Sequence, residues 1–114
     1  MGPQAAVSFL AQVVAMALVP GVHASPEIHL SQRLTILQAD RYLLADGWKP
    51  APQQTPTAAE RDLAGVSLNS LTACSGTGVG YCRYDYERDA QRLSVVTVPS
   101  QPGQPSVGRV QRWW

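Results

Sequence analysis

The sequence has little of what most protein chemistry requires. Its 114 residues contain two cysteines, Cys74 and Cys82, and two histidines, His23 and His29. A structural zinc site needs four thiolate or imidazole ligands closing a tetrahedral shell. Two cysteines with no second pair do not supply one, and no cluster of His, Asp and Glu has ligand spacing. Charge is also scarce, at 15% of residues, and nearly balanced: nine basic against eight acidic side chains, a net charge of +1. A net charge that small gives no case for nucleic acid or for an acidic membrane as partner. No internal repeat is present. No cofactor is expected.

A second absence is more informative. From Ala5 to Val22 there is no charged residue, and the stretch from Ala5 to Val19 is strongly apolar. Pro20 and Gly21 then break any helix, and Val22-His23-Ala24 places short residues where a signal peptidase reads them. This is an apolar core followed by a cleavage box of the A-x-A type, and cleavage is expected between Ala24 and Ser25. A spanning helix wants about 20 consecutive apolar residues, whereas this run contains Gln12 and stops at Pro20. The segment Met1 to Gln4 departs from the usual pattern in having no Lys or Arg. Residues 1–24 are thus read as a signal peptide. Residues 25–114 are read as a single small domain, periplasmic or secreted, with no stable membrane insertion after cleavage.

The two cysteines survive that cut, and an even pair in an oxidising compartment is expected to be bridged. Downstream, good helix formers run from Ser31 to Asp46, with Leu30, Leu34, Leu37, Leu44 and Trp48 lining one side. Asp46-Gly47 offers a left-handed helix stop, after which Trp48 folds back on Leu43. Lys49 to Pro56 reads as a Pro-rich connector. Thr57 with Glu60 forms a capping-box pattern that opens a short helix through Leu63 and ends at Gly65. Val66 to Thr72 fits either a short strand or a helical turn. Tyr81 to Tyr86 alternates as a strand, Glu87 to Gln91 reads as a charged turn, and Arg92 to Val98 is rich in β-branched residues. After a loop from Pro99 to Pro105, Val107 to Trp114 forms a third strand. The expected fold is α+β: one or two N-terminal helices packed on a three-stranded antiparallel meander, with one disulfide.

The loop Cys74-Ser-Gly-Thr-Gly-Val-Gly-Tyr-Cys82 is rich in glycine, as phosphate-cradling loops are. Such loops follow a strand and open a helix, whereas this one leads into a strand and lacks their lysine. Ser75 as a nucleophile requires an imidazole base, for which His29 is the candidate. Asp85, Glu87 and Asp89 offer a carboxylate pair for acid–base work, although a charged hairpin turn accounts for them more simply. The richest surface is aromatic and basic: Tyr81, Arg83, Arg109, Arg112, Trp113 and Trp114 share the β half, where arginine and aromatic rings can stack on bases or sugars or anchor a protein. Alternation divides the rings of the β half (Tyr81, Tyr84, Tyr86, Trp113 and Trp114) between two faces, so at least half of them are expected in the core.

Two segments, Ala45-Asp-Gly-Trp-Lys-Pro50 and Cys74 to Tyr86, resemble an uncharacterised family of small exported bacterial proteins. In these a short helix ends in Gly-Trp-x-Pro and a Cys-Ser-Gly-Thr-Gly-x-Gly-x-Cys loop enters a β meander. The resemblance implies bacterial export and a disulfide in the loop, and implies no activity. The expected role is non-enzymatic: an exported domain that binds a protein or cell-envelope partner, with no nucleic acid expected. The alternatives are a small hydrolase or inhibitor-like module using the Ser75 loop, or a sugar or nucleic-acid binder using the aromatic and Arg face.

Overall fold

A computed structural model describes residues 30–114. The expected signal peptide, the expected cleavage site at Ala24–Ser25 and His29 lie outside the described residues. Helix α1 spans Ile36–Ala45. It begins at a second capping box: Thr35 Oγ1 accepts from the Gln38 N–H at 3.2 Å, and Gln38 Oε1 accepts from the Thr35 N–H at 2.9 Å. Two orphan donors of the first turn are thereby satisfied, and the helix starts five residues later than Ser31. Its end follows the expected stop. Gly47, at φ +90°, reverses the chain, the Gly47 N–H bonds Leu44 O at 3.1 Å and the Trp48 N–H bonds Leu43 O at 2.9 Å. This is the Schellman pattern, and it drives the Trp48 ring into the core beside Leu43.

The face that α1 buries differs from the expected one. Ile36, Ala39, Asp40 and Leu43 point inward, while Leu37 and Leu44 are exposed. The expected stripe had Arg41 in its middle, and the true stripe lies about one residue round the helix, where that charge stays in water. The entry segment fixes this rotation. Leu34 O accepts from the Val110 N–H at 2.8 Å, which pins the chain to the sheet edge just before the cap.

The sheet is antiparallel and five-stranded rather than three-stranded. Its strands are β1 (Lys49–Pro50), β2 (Leu71–Cys74), β3 (Cys82–Arg88), β4 (Gln91–Pro99) and β5 (Gly108–Trp113). Helix α2, Ala58–Ala64, lies between β1 and β2 and carries the expected capping box. The two additional strands share one edge of the sheet. Lys49 and Pro50 pair with Glu87 and Tyr86, while Leu71 to Cys74 pair with Tyr84 to Cys82. Both are short, and Pro50 lacks an amide donor, which suits an outer position. A two-residue strand leaves no alternation in the sequence, so Lys49 to Pro56 carries only the signature of a connector.

One face of the sheet meets the helices. Tyr84 and Tyr86 of β3, Leu93 and Val95 of β4 and Val110 of β5 form the core with Ile36, Leu43 and Trp48. Trp113 packs against it and is partly buried. Cys74 and Cys82 face each other across the β2–β3 ladder and are bonded to one another. Closing a loop of this length stabilises the fold by about 2.5 kcal/mol through loss of unfolded-state entropy. Gly78 and Gly80, both at positive φ, let the loop between them turn back.

The β3–β4 hairpin turns on two residues, Asp89 at φ 46° and Ala90 at φ 67°. Both central positions are left-handed, the geometry that normally selects Asn-Gly. An alanine there carries a steric cost of about 1 kcal/mol. Ala90→Gly is therefore expected to raise stability by about 0.5–1 kcal/mol. Urea melts of the two proteins measure this directly, and a lower midpoint for the glycine variant would contradict the assignment.

Candidate binding face

The face of the sheet turned away from the helices is built by register. Across β3 and β4, Arg83 lies opposite Val96, Asp85 opposite Ser94 and Glu87 opposite Arg92. Across β4 and β5, Val96 lies opposite Arg112 and Val98 opposite Arg109, with one extra residue, Gln111, bulging from β5 between these pairs. Residues opposite one another share a face. Arg83, Arg109 and Arg112 therefore come to one side, and Trp114 joins them. The Trp114 N–H bonds Ser94 O at 3.0 Å and Ser94 N–H bonds Trp114 O at 2.9 Å. Tyr81 precedes β3 with the alternation of Arg83 and is 44% exposed. Of the six residues singled out for a binding surface, five lie on this face. Trp113 does not, because the β5 bulge turns it toward the core.

Beneath the arginines lies a buried carboxylate. Asp85 is 2% exposed. Its Oδ1 accepts from Ser94 Oγ at 2.6 Å and from Arg83 Nε at 3.1 Å, and its Oδ2 accepts from Thr72 Oγ1. Arg83 also donates from Nη2 to Ser94 Oγ at 3.2 Å, closing a triangle. Thr72 reaches this site because the β2 ladder is irregular between Leu71 and Ala73. Its hydroxyl also accepts the Gln53 N–H at 3.1 Å, tying the segment after β1 to the same group. Asp85 is thus a structural anion with three donors, and is not available as half of a catalytic carboxylate pair. Glu87 lies 3.9 Å from Arg92, and Asp89 sits in the hairpin turn.

Arg83 and Arg112 both approach the Trp114 ring, at 5.7 Å and 5.1 Å from its centroid. Each contact is worth about 0.5–1 kcal/mol at an exposed site. Trp114 is 56% exposed but held by its backbone on β4 and overlaid by two guanidinium groups. It therefore orients arginines rather than offering an open ring. Arg109 donates from its guanidinium Nη1 to Arg33 O at 3.0 Å, which anchors one edge of the charged head at the surface.

Ser75 has a different employment. Its Oγ donates to Thr77 O at 2.9 Å and accepts from the Thr77 N–H at 3.3 Å, a local turn inside the loop. No histidine occurs among the described residues. Nor does any group of three or more His, Cys, Asp or Glu there have the arrangement to hold a metal. On the helix side, Asp40 accepts from the Tyr86 hydroxyl at 2.7 Å, which in turn accepts from Ser70 Oγ at 3.0 Å. Burial raises the Tyr86 phenol above its ordinary value, with the Asp40 carboxylate adding to the effect; burial likewise raises Tyr84. Glu60 is lowered, because its carboxylate accepts the Thr57 N–H at 2.7 Å and the Cys74 N–H at 3.0 Å.

Two expectations follow. Asp85→Ala strands the hydroxyls of Thr72 and Ser94 and releases Arg83, and should cost about 2–4 kcal/mol in a denaturant melt. A change below 0.5 kcal/mol would remove Asp85 from its central role. Ionisable groups give the second. Tyr84 and Tyr86 are raised in the folded state, so their contribution is present below the unfolded phenol value of about 10 and is lost as pH climbs past it. Glu60 is lowered, so its contribution is present above the carboxylate value of about 4.3 and is lost as pH falls below it. Melting temperature should decline outside both limits, and Glu60→Gln should flatten the acid limb only. No protein-family model matches this chain, and no curated protein or solved structure matches it either.

Proposed function

We propose that this chain is an exported, non-enzymatic domain whose working surface is the outer sheet face, presented to a protein or cell-envelope partner. The observation that carries this reading is the assembly of Arg83, Arg109, Arg112, Trp114 and Tyr81 on one exposed face, braced from below by Asp85. Arg83 also serves the fold by meeting Asp85, but Arg109 and Arg112 are exposed and meet no carboxylate among the described residues, which leaves their charges for an external group. The buried cross-strand disulfide fits an oxidising compartment, in keeping with the apolar leader and its Ala24–Ser25 cleavage box. Among the described residues no helix is long and apolar enough to cross a membrane. The resemblance of the helix end at Gly47-Trp48 and of the Cys74–Cys82 loop to small exported bacterial proteins supports the same reading.

The test is expression of the full chain with its leader in a bacterium, followed by fractionation. The expected product begins at Ser25, sediments with the envelope and is released by salt. The Arg109→Ala, Arg112→Ala double variant should leave melting temperature within a few degrees and lower envelope retention at least fivefold. A chain that keeps residues 1–24 in the cytoplasm, or retention that ignores both arginines, would defeat the proposal.

A further inference from the structure

The near-zero net charge of the chain conceals a strong separation of charge by the fold. Register places Lys49, Arg83, Arg92, Arg109 and Arg112 on the outer sheet face, with Asp85 and Glu87 as its acids. Five cations less two carboxylates leave three positive charges on that face. Since the whole chain carries +1, everything else carries two negative charges. Both carboxylates of the face already have guanidinium partners, Asp85 in Arg83 and Glu87 in Arg92. Arg109 and Arg112 have no carboxylate partner among the described residues, and both are exposed.

We infer that this face binds an acidic polysaccharide, an anionic sugar chain carrying carboxylates at regular intervals. The inference rests on the outer face being the working surface, as proposed above. Three features select this partner. First, the cations form a two-dimensional array on a rigid sheet: neighbouring strands lie about 4.8 Å apart, and alternate residues of a strand lie about 6.6 Å apart. Such an array meets separate carboxylates along a polymer rather than a single small anion. Second, guanidinium groups match carboxylates with paired donors, and Arg112 keeps its donors free of protein acceptors among the described residues while it lies over the Trp114 ring at 5.1 Å. Third, the face lacks what a membrane surface needs. Trp114 is held on β4 by two backbone bonds to Ser94, and its ring already has the guanidinium groups of Arg83 and Arg112 over it, so it is engaged by cations rather than free to enter a bilayer. Exposed Tyr81 at the margin adds an aromatic edge for the apolar faces of sugar rings.

The full chain, purified with its disulfide intact, is titrated with polygalacturonate, with uncharged dextran, with single-stranded DNA and with phosphatidylglycerol vesicles. Polygalacturonate should bind at low salt and lose affinity steeply as salt rises. Arg109→Ala with Arg112→Ala should weaken it at least tenfold, and Arg109→Lys with Arg112→Lys should weaken it less. Arg41→Ala with Arg61→Ala removes equal charge from the two helices and should change affinity less than twofold. Equal loss in that helix variant, binding of dextran as tight as that of polygalacturonate, or preference for DNA or vesicles would each overturn the assignment. If envelope retention depends on Arg109 and Arg112 but polygalacturonate does not bind, the working face stands and its polysaccharide partner falls. If retention ignores these arginines, both fall.

Discussion

Asp85 stands where four segments of the chain meet, and its bonds decide whether they stay together. Its N–H bonds Ser70 O and its carbonyl accepts the Ala51 N–H, both at 2.9 Å. The gap between the two short strands β1 and β2 is therefore closed on a single residue of β3. Its carboxylate then gathers Thr72 from one edge and Ser94 and Arg83 from the centre of the sheet. A carboxylate this buried is costly unless its charge is met by donors, and the fold supplies three. The split edge, the position of Arg83 and the placement of Ser94 beside Trp114 all depend on that one anion being satisfied.

The consequence for function is a chain of mechanical support. Ser94 links the buried anion to Trp114 through two backbone bonds, and Trp114 holds Arg83 and Arg112 through its ring. Side-chain entropy makes an exposed arginine expensive to immobilise. Here part of that cost is met within the fold itself, which is what preorganisation would supply to the proposed binding face. The same sheet turns its other face to the helices, where Asp40, Ser70 and Tyr86 form a buried hydrogen-bonded chain. β3 thus carries a structural polar network on each side, and the exposed Arg109 and Arg112 stand beside only the outer one.

Much of the fold is legible in the chain's local chemistry. The glycine stop after α1, the Thr57–Glu60 capping box, the alternation into β3 and the β-branched run of β4 each act over a few residues, so sequence spacing reports them. What escapes is what depends on distant partners. Lys49 and Pro50 have no strand signal of their own and become one because β3 offers an edge. Asp85 looks like part of a charged turn and is buried because Thr72, Ser94 and Arg83 arrive from elsewhere. The buried side of α1 lies about one residue round from the stripe of leucines, since that stripe and the one of Ile36, Ala39 and Leu43 compete and only the docking of Leu34 on β5 chooses between them.

The candidate site divides in the same way. Residue types and alternation were enough to single out Tyr81, Arg83, Arg109, Arg112 and Trp114 as belonging together in the β half, and to expect the Cys74–Cys82 bridge. A one-residue bulge in β5 decided that Trp114 joins the arginines while Trp113 turns to the core, and a strand pattern cannot report an insertion that pairing alone reveals. The sequence by itself determined composition, a balanced total charge, and the short-range turns and caps. Only the tertiary structure decided where the charges stand, because electrostatic fields depend on distance in space, and antiparallel pairing brings residues far apart in the chain onto one face.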